Sequence, residues 1–138
     1  KRQALSSETF QASRLCWTVR VIKGRDPALR SNAGWICLGV TADPGPDYSS
    51  YGRAYAWGGQ VGQVYMGDGK MDNGRGGWDA WRTDDTAKMT LDVAAGTLSM
   101  EHTRGGMVSQ HQLDGLDPTN EWRLYINLSG VGAAVELR

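Results

Sequence analysis

Charge of one sign, cysteine, histidine and long apolar runs are all scarce in this chain, and each scarcity closes off a class of function. The 15 basic residues are balanced by 15 acidic ones, for a formal net charge of zero. With no long run of either sign, electrostatic attraction to nucleic acid or to an anionic membrane has no source. No apolar stretch approaches the ~20 residues of a membrane span. The two cysteines, Cys16 and Cys37, are too few for a disulfide scaffold. Each sits in an apolar run, Leu-Cys-Trp and Ile-Cys-Leu, so both are expected as buried, reduced core thiols, with a disulfide between their two strands as the alternative. This usage favours a reducing, cytoplasmic (intracellular) setting. The opening Lys1-Arg2-Gln3 has neither an initiator Met nor a signal-peptide pattern, which leads us to expect a monomeric domain excised from a larger protein.

Catalytic and metal chemistry is equally short of material. The only histidines are His102 and His111, and neither Cys-x-x-Cys nor His-x-x-x-His occurs, so no metal set can be assembled from local spacing. No Gly-x-Ser-x-Gly elbow is present to carry a nucleophile. Asp84 and Asp85 precede a strand pattern and read as turn formers rather than as an acid/base pair. The Gly-rich run Gly67 to Gly77 departs from a calcium loop, with Lys70 at a ligand position and Asn73 at the turn glycine. It also does not lead from a strand into a helix as a phosphate cradle would. The sequon Asn127-Leu-Ser129 falls inside a strand pattern and reads as chance. These features point away from an enzyme and imply no cofactor and no metal.

What the chain does have is a globular composition in 138 residues, 40% hydrophobic and 22% charged, with 19 glycines and six tryptophans. A domain of this length buries about two thirds of its unfolded surface. The glycines suit many tight turns, and the tryptophans supply large apolar surfaces. Apolar residues recur at period two, the mark of half-buried strands. Leu15, Trp17, Val19 and Val21 alternate with Cys16, Thr18 and Arg20. Met89, Leu91 and Val93 alternate with Thr90 and Asp92, and a turn at Ala94-Ala95-Gly96 leads into Thr97 to Met100 as a hairpin. Trp35 to Val40 is a continuous apolar strand. Trp122, Leu124, Ile126 and Leu128 form a late strand, and Ala133, Val135 and Leu137 the last one. Ala4 to Ala12 suits a short helical turn or an edge strand. Longer loops are expected at Gly24 to Gly34, Asp43 to Gly52, Gly67 to Asp79 and Thr103 to Gly106. Short strands between Gly, Pro, Asn and Asp turns predict an all-β sandwich or barrel, with residues 1–12 as an N-terminal extension or edge segment and 13–138 as the domain.

The order of these strands resembles the SPRY domain, the common core of B30.2 modules. Leu15-Cys-Trp-Thr-Val-Arg-Val and Gly34-Trp-Ile-Cys-Leu-Gly-Val-Thr are similar to the family's early strands, and Tyr48-Ser-Ser-Tyr-Gly to its short aromatic segment. Asp85-Thr-Ala-Lys-Met-Thr-Leu-Asp-Val, followed by Ala-Ala-Gly-Thr-Leu-Ser-Met, looks like its Leu-Asp, turn, Gly-Thr-Leu-Ser hairpin. Trp122-Arg-Leu-Tyr-Ile-Asn-Leu resembles its late Leu-Tyr-Pro strand. The family's entering Gly-Asp and Gly are replaced by Asp84-Asp85 and Ala87, and the Pro is missing. The resemblance implies a concanavalin-like jelly roll, a sandwich of two curved antiparallel sheets, and recognition of a partner protein by loops at one end.

Loop residues of the types enriched at binding hot spots are the candidate contacts. Tyr48, Tyr51 and Arg53 follow the Asp43-Pro-Gly-Pro-Asp turn, and Trp78 follows Gly76-Gly77. They are expected as an exposed cluster at one end of the sandwich. Trp17, Trp35, Trp81 and Trp122 are assigned to strands and to the core. By the resemblance, Ser129 and Gly130 before the last strand would line the pocket, and Arg25, Asp26 and Arg30 would give rim contacts. The expected function is a non-catalytic module that recognises a short peptide or loop of a partner protein. The alternatives are a carbohydrate-binding sandwich and a structural domain that packs inside its parent.

Overall fold

A computed structural model describes residues 2–5, 14–24, 35–42, 53–59, 62–129 and 132–138, with residues 2–5 and 129 described by their backbone. Eleven strands follow one another: β1 (Arg2–Leu5), β2 (Arg14–Lys23), β3 (Trp35–Thr41), β4 (Ala54–Gly58), β5 (Gln63–Met66), β6 (Met71–Asn73), β7 (Thr86–Asp92), β8 (Thr97–Arg104), β9 (Met107–Asp114), β10 (Arg123–Ser129) and β11 (Ala134–Leu137). A 3-10 turn at Arg75–Gly77 lies between β6 and β7.

The strands form two antiparallel sheets. One has six strands in the order β1-β10-β3-β4-β5-β6, the other five in the order β11-β2-β7-β8-β9. Period-two patterning sets which residues meet between them. Val19 and Val21 of β2, Ala87, Met89 and Leu91 of β7, and Leu98 and Met100 of β8 face Ile36, Leu38 and Val40 of β3 and Trp57 of β4 across one core. The expected hairpin is present, with Leu91 opposite Leu98 and Met89 opposite Met100.

Four expectations are corrected or refined. The segment Thr103 to Gly106 is no long loop. Arg104 pairs with Met107, and Gly105 and Gly106 have φ of 54° and 81°, the doubly left-handed backbone of a two-residue hairpin. Gly67 to Asp79 contains β6 and the 3-10 turn rather than loop alone. At the N-terminus, Arg2–Leu5 is an edge strand on β10; the rest of Ala4 to Ala12 lies outside the described residues. Cys16 is exposed, because it points away from the face that carries Val19 and Val21, whereas Cys37 is buried. The two are not joined in a disulfide and belong to strands of different sheets.

The six-stranded sheet is buried on both faces. Trp35, Cys37, Ala54, Ala56, Tyr65 and Tyr125 make a second cluster on the side away from the main core. This explains why β3 reads as continuously apolar, every one of its residues being buried. Tyr125 and Asn127, which alternate with the apolar residues of β10, are buried there too. Trp35 belongs to this second cluster, and Trp81 lies between strands rather than in one.

Candidate functional site

The pairing register decides which loop residues can meet. Thr41 of β3 pairs with Ala54 of β4 and Arg123 of β10, so residues 42, 53 and 122 gather at one end of the six-stranded sheet. There a cavity of about 350 Å³ is lined by Ala42, Arg53, Tyr55, Gly67, Gly115, Asp117, Asn120 and Trp122. Its walls are fixed by hydrogen bonds. The Tyr55 hydroxyl donates to the Gly115 carbonyl at 2.9 Å, and its ring meets Trp122 edge-on with centroids 5.6 Å apart. Trp122 Nε1 donates to the Asp117 carbonyl at 2.9 Å. The Asp117 carboxylate accepts from the Thr119 N–H at 2.8 Å and its hydroxyl at 2.7 Å, which holds the 117–120 turn closed. Gly67 has φ of 78°, and a Cβ there would stand 2.5 Å from the Tyr55 ring, so the close wall requires glycine. Burial, with Asp68 and Asp117 nearby, raises the Tyr55 pKa and keeps the phenol protonated.

Of the sequence-predicted residues, the described ones, Arg53, Trp78 and Ser129, do not converge. Arg53 is exposed and lines this cavity. Trp78 is corrected: it is only 2% exposed, and its Nε1 donates at 2.7 Å to the carbonyl of Gly58, at the far end of β4 from Arg53. Its indole needs a hydrogen-bond partner once buried, and the β4 terminus supplies one. Ser129 pairs with Trp35, at the opposite end of β3 from Thr41, about 20 Å away by strand rise. Tyr48, Tyr51, Arg25, Arg30 and Gly130 lie outside the described residues.

A buried polar network runs behind Trp78, and only part of it follows from the sequence. Asp85 is fully buried. It accepts from Arg104 at 2.9 and 2.8 Å, from His102 Nε2 at 2.9 Å and from the Arg82 N–H at 2.9 Å. Arg104 also donates to Asp79 at 3.0 and 3.1 Å and to the Ala80 carbonyl at 2.6 Å. Burial pushes the Asp85 carboxyl up, but the hydrogen bonds from Arg104, His102 and Arg82 outweigh it and hold it down at about 2. The expectation of two turn formers holds for Asp84, in a left-handed turn at φ 71°, and for Asp85, whose N–H donates to the Arg82 carbonyl at 3.1 Å, but it missed the buried counter-charge that Asp85 also supplies. The signal was present in β8: His102 and Arg104 continue the inward series of Leu98 and Met100, and polar side chains on an apolar face demand a buried counter-charge.

Among the described residues, no group of three or more His, Cys, Asp or Glu side chains is placed to hold a metal ion. None of their helices is long and apolar enough to cross a membrane.

Two antiparallel sheets in this strand order make the chain a β-sandwich, and its fold is similar to that of solved SPRY domains. It superposes on the SPRY domain of human HERC1 with a TM-score of 0.66, at 17% identity, covering 98% of this chain and 80% of that one. Against the TRIM65 PSpry domain the TM-score is 0.63, at 19% identity, over 98% of this chain and 67% of that one. The stonustoxin structure matches with a TM-score of 0.67 and 16% identity, over 99% of this chain and 20% of that one. At these identities the likeness is one of fold. No protein-family model and no curated protein sequence matches the chain.

Proposed function

We propose that this chain is a non-catalytic recognition module that binds a short peptide or loop of a partner protein in the cavity around Arg53, Tyr55 and Trp122, within a reducing intracellular compartment. The observation that carries the reading is the rigidity of that cavity. Its aromatic walls and its 117–120 turn are already hydrogen-bonded, so a partner pays little to order them. Arg53 and Asn120 are exposed and polar at a site that also offers aromatic surface, the composition of interface hot spots. The SPRY-type fold adds support, since its solved examples include domains of HERC1 and TRIM65.

A sugar-binding reading would need exposed indole faces. Trp35, Trp57, Trp78, Trp81 and Trp122 are all buried and Trp17 is half-buried, which leaves stacking without a platform among them. The deciding experiment is a quantitative pull-down from cell extract with the intact chain and with an Arg53→Ala/Asn120→Ala variant of equal thermal stability. Proteins retained by the first and depleted tenfold or more from the second are the expected outcome, a loss of about 1.4 kcal/mol or more. Equal retention by both would exclude this cavity, and oligosaccharide binding on a glycan array without peptide binding would exclude the reading altogether.

A further inference from the structure

A second site lies on the open side of the sandwich, away from the Arg53 cavity. Among the described residues β9 ends the five-stranded sheet and β6 ends the six-stranded one, so β9 presents one edge of backbone groups with no strand beside it among them. A cleft of about 380 Å³ runs along that edge. Its floor is Trp57, Val64 and Leu113, and its far wall is Arg75 and Gly76 of the 3-10 turn.

One polar atom in this cleft has no partner. His111 is 9% exposed, and its Nδ1 is buried without a hydrogen bond. Gly76 stands across from it: a Cβ on Gly76 would meet nothing within 4 Å except that nitrogen, at 3.8 Å. The rest of the ring is already engaged: Ser109 Oγ lies 3.1 Å from His111 Nε2 and 3.4 Å from His102 Nδ1, and His102 Nε2 reaches Asp85 at 2.9 Å. His111 is thus satisfied through Nε2 alone, and an unsatisfied buried polar atom costs free energy that a hydrogen bond from a ligand would return.

We propose that this cleft takes an extended, uncharged polar segment of a partner protein, added as a strand along the edge of β9. One inward-pointing hydroxyl or amide of the segment, able to donate or accept, hydrogen-bonds to His111 Nδ1. A strand paired to β9 sends alternate side chains into the space between the sheets, where a residue facing His111 rests on Trp57, Val64 and Leu113. The flanking side chains favour a neutral segment: Gln110 and Gln112 are amides, and Arg75 is paired with Asp72 at 3.4 Å.

The test is to pan the full chain against a display library of random linear peptides and to measure selected peptides on three variants. His111→Gln keeps a donor toward Ser109 but places nothing at the Nδ1 position, whereas His111→Asn places an amide there. Selected peptides are expected to carry Ser, Thr, Asn or Gln between β-forming residues and to protect the outward β9 amides from hydrogen exchange. They should lose about tenfold in affinity on His111→Gln, regain most of it on His111→Asn, and be unaffected by Arg53→Ala. Thermal unfolding of each variant separates lost binding from lost fold. The proposal is overturned if no selected peptide protects β9, if binding survives His111→Gln in a folded protein, or if β9 protection arises from self-association at rising protein concentration.

Discussion

Asp85 shows how much a single residue carries in this protein. Its carboxylate is fully buried, pairs with Arg104 and orients His102, so removing its charge weakens several hydrogen bonds to a buried acceptor and leaves the part-exposed Arg104 with the Asp79 carboxylate alone. Asp85→Asn is expected to lower the unfolding free energy by about 2 kcal/mol at neutral pH, measured by urea denaturation. The sign of the pH dependence follows from the depressed pKa of about 2 against an ordinary 3.8. The folded chain keeps this charge where the unfolded chain already takes a proton. The stabilisation is full above about pH 4 and is lost as the pH falls toward 2. Asp85→Asn should flatten that limb of the stability profile; an unchanged slope would remove Asp85 as its source.

At the scale of elements, the connection from Trp78 to Arg82 has no regular structure and is held in place by its side chains. Trp78 and Trp81 donate to the carbonyls of Gly58 and Trp57 at 2.7 Å each, and their rings meet edge-on at 4.7 Å. The tether bends the chain enough to force Ala80 to φ 117°, a region that L-residues rarely adopt. Ala80→Gly is expected to relieve this strain and to raise stability by about 1 kcal/mol, read as a higher denaturation midpoint; a lower midpoint would show that Arg104 and the two indoles hold Ala80 without strain. A local pattern marks a hairpin such as β7–β8, because alternation and turn residues are both contiguous. It does not mark this connection: Trp78 after two glycines reads as an exposed loop aromatic, and its partner Gly58 is 20 residues away.

Across the whole molecule, the two sheets keep Cys16 and Cys37 on separate layers. Reducing agent is therefore expected to leave the thermal midpoint unchanged, and a drop on reduction would demand a bridge between these residues. The exposed pair Met107 and Val108, 76% and 56% accessible, lies at the tip of the edge strand β9, so the surface available for partners extends beyond the loop end that sequence favours. Period-two alternation and turn glycines determined by themselves that this chain is an all-β sandwich or barrel, since each of those properties is local or compositional. The placement of partners across long sequence separations was decided by tertiary structure alone. Strand register put Arg53 and Ser129 at opposite ends of β3, burial on both faces of the six-stranded sheet took Tyr125 and Asn127 out of solvent, and the approach of β7 to β8 joined Asp85 to Arg104. Register and layer packing are properties of the closed sandwich, and no contiguous stretch of residues encodes them.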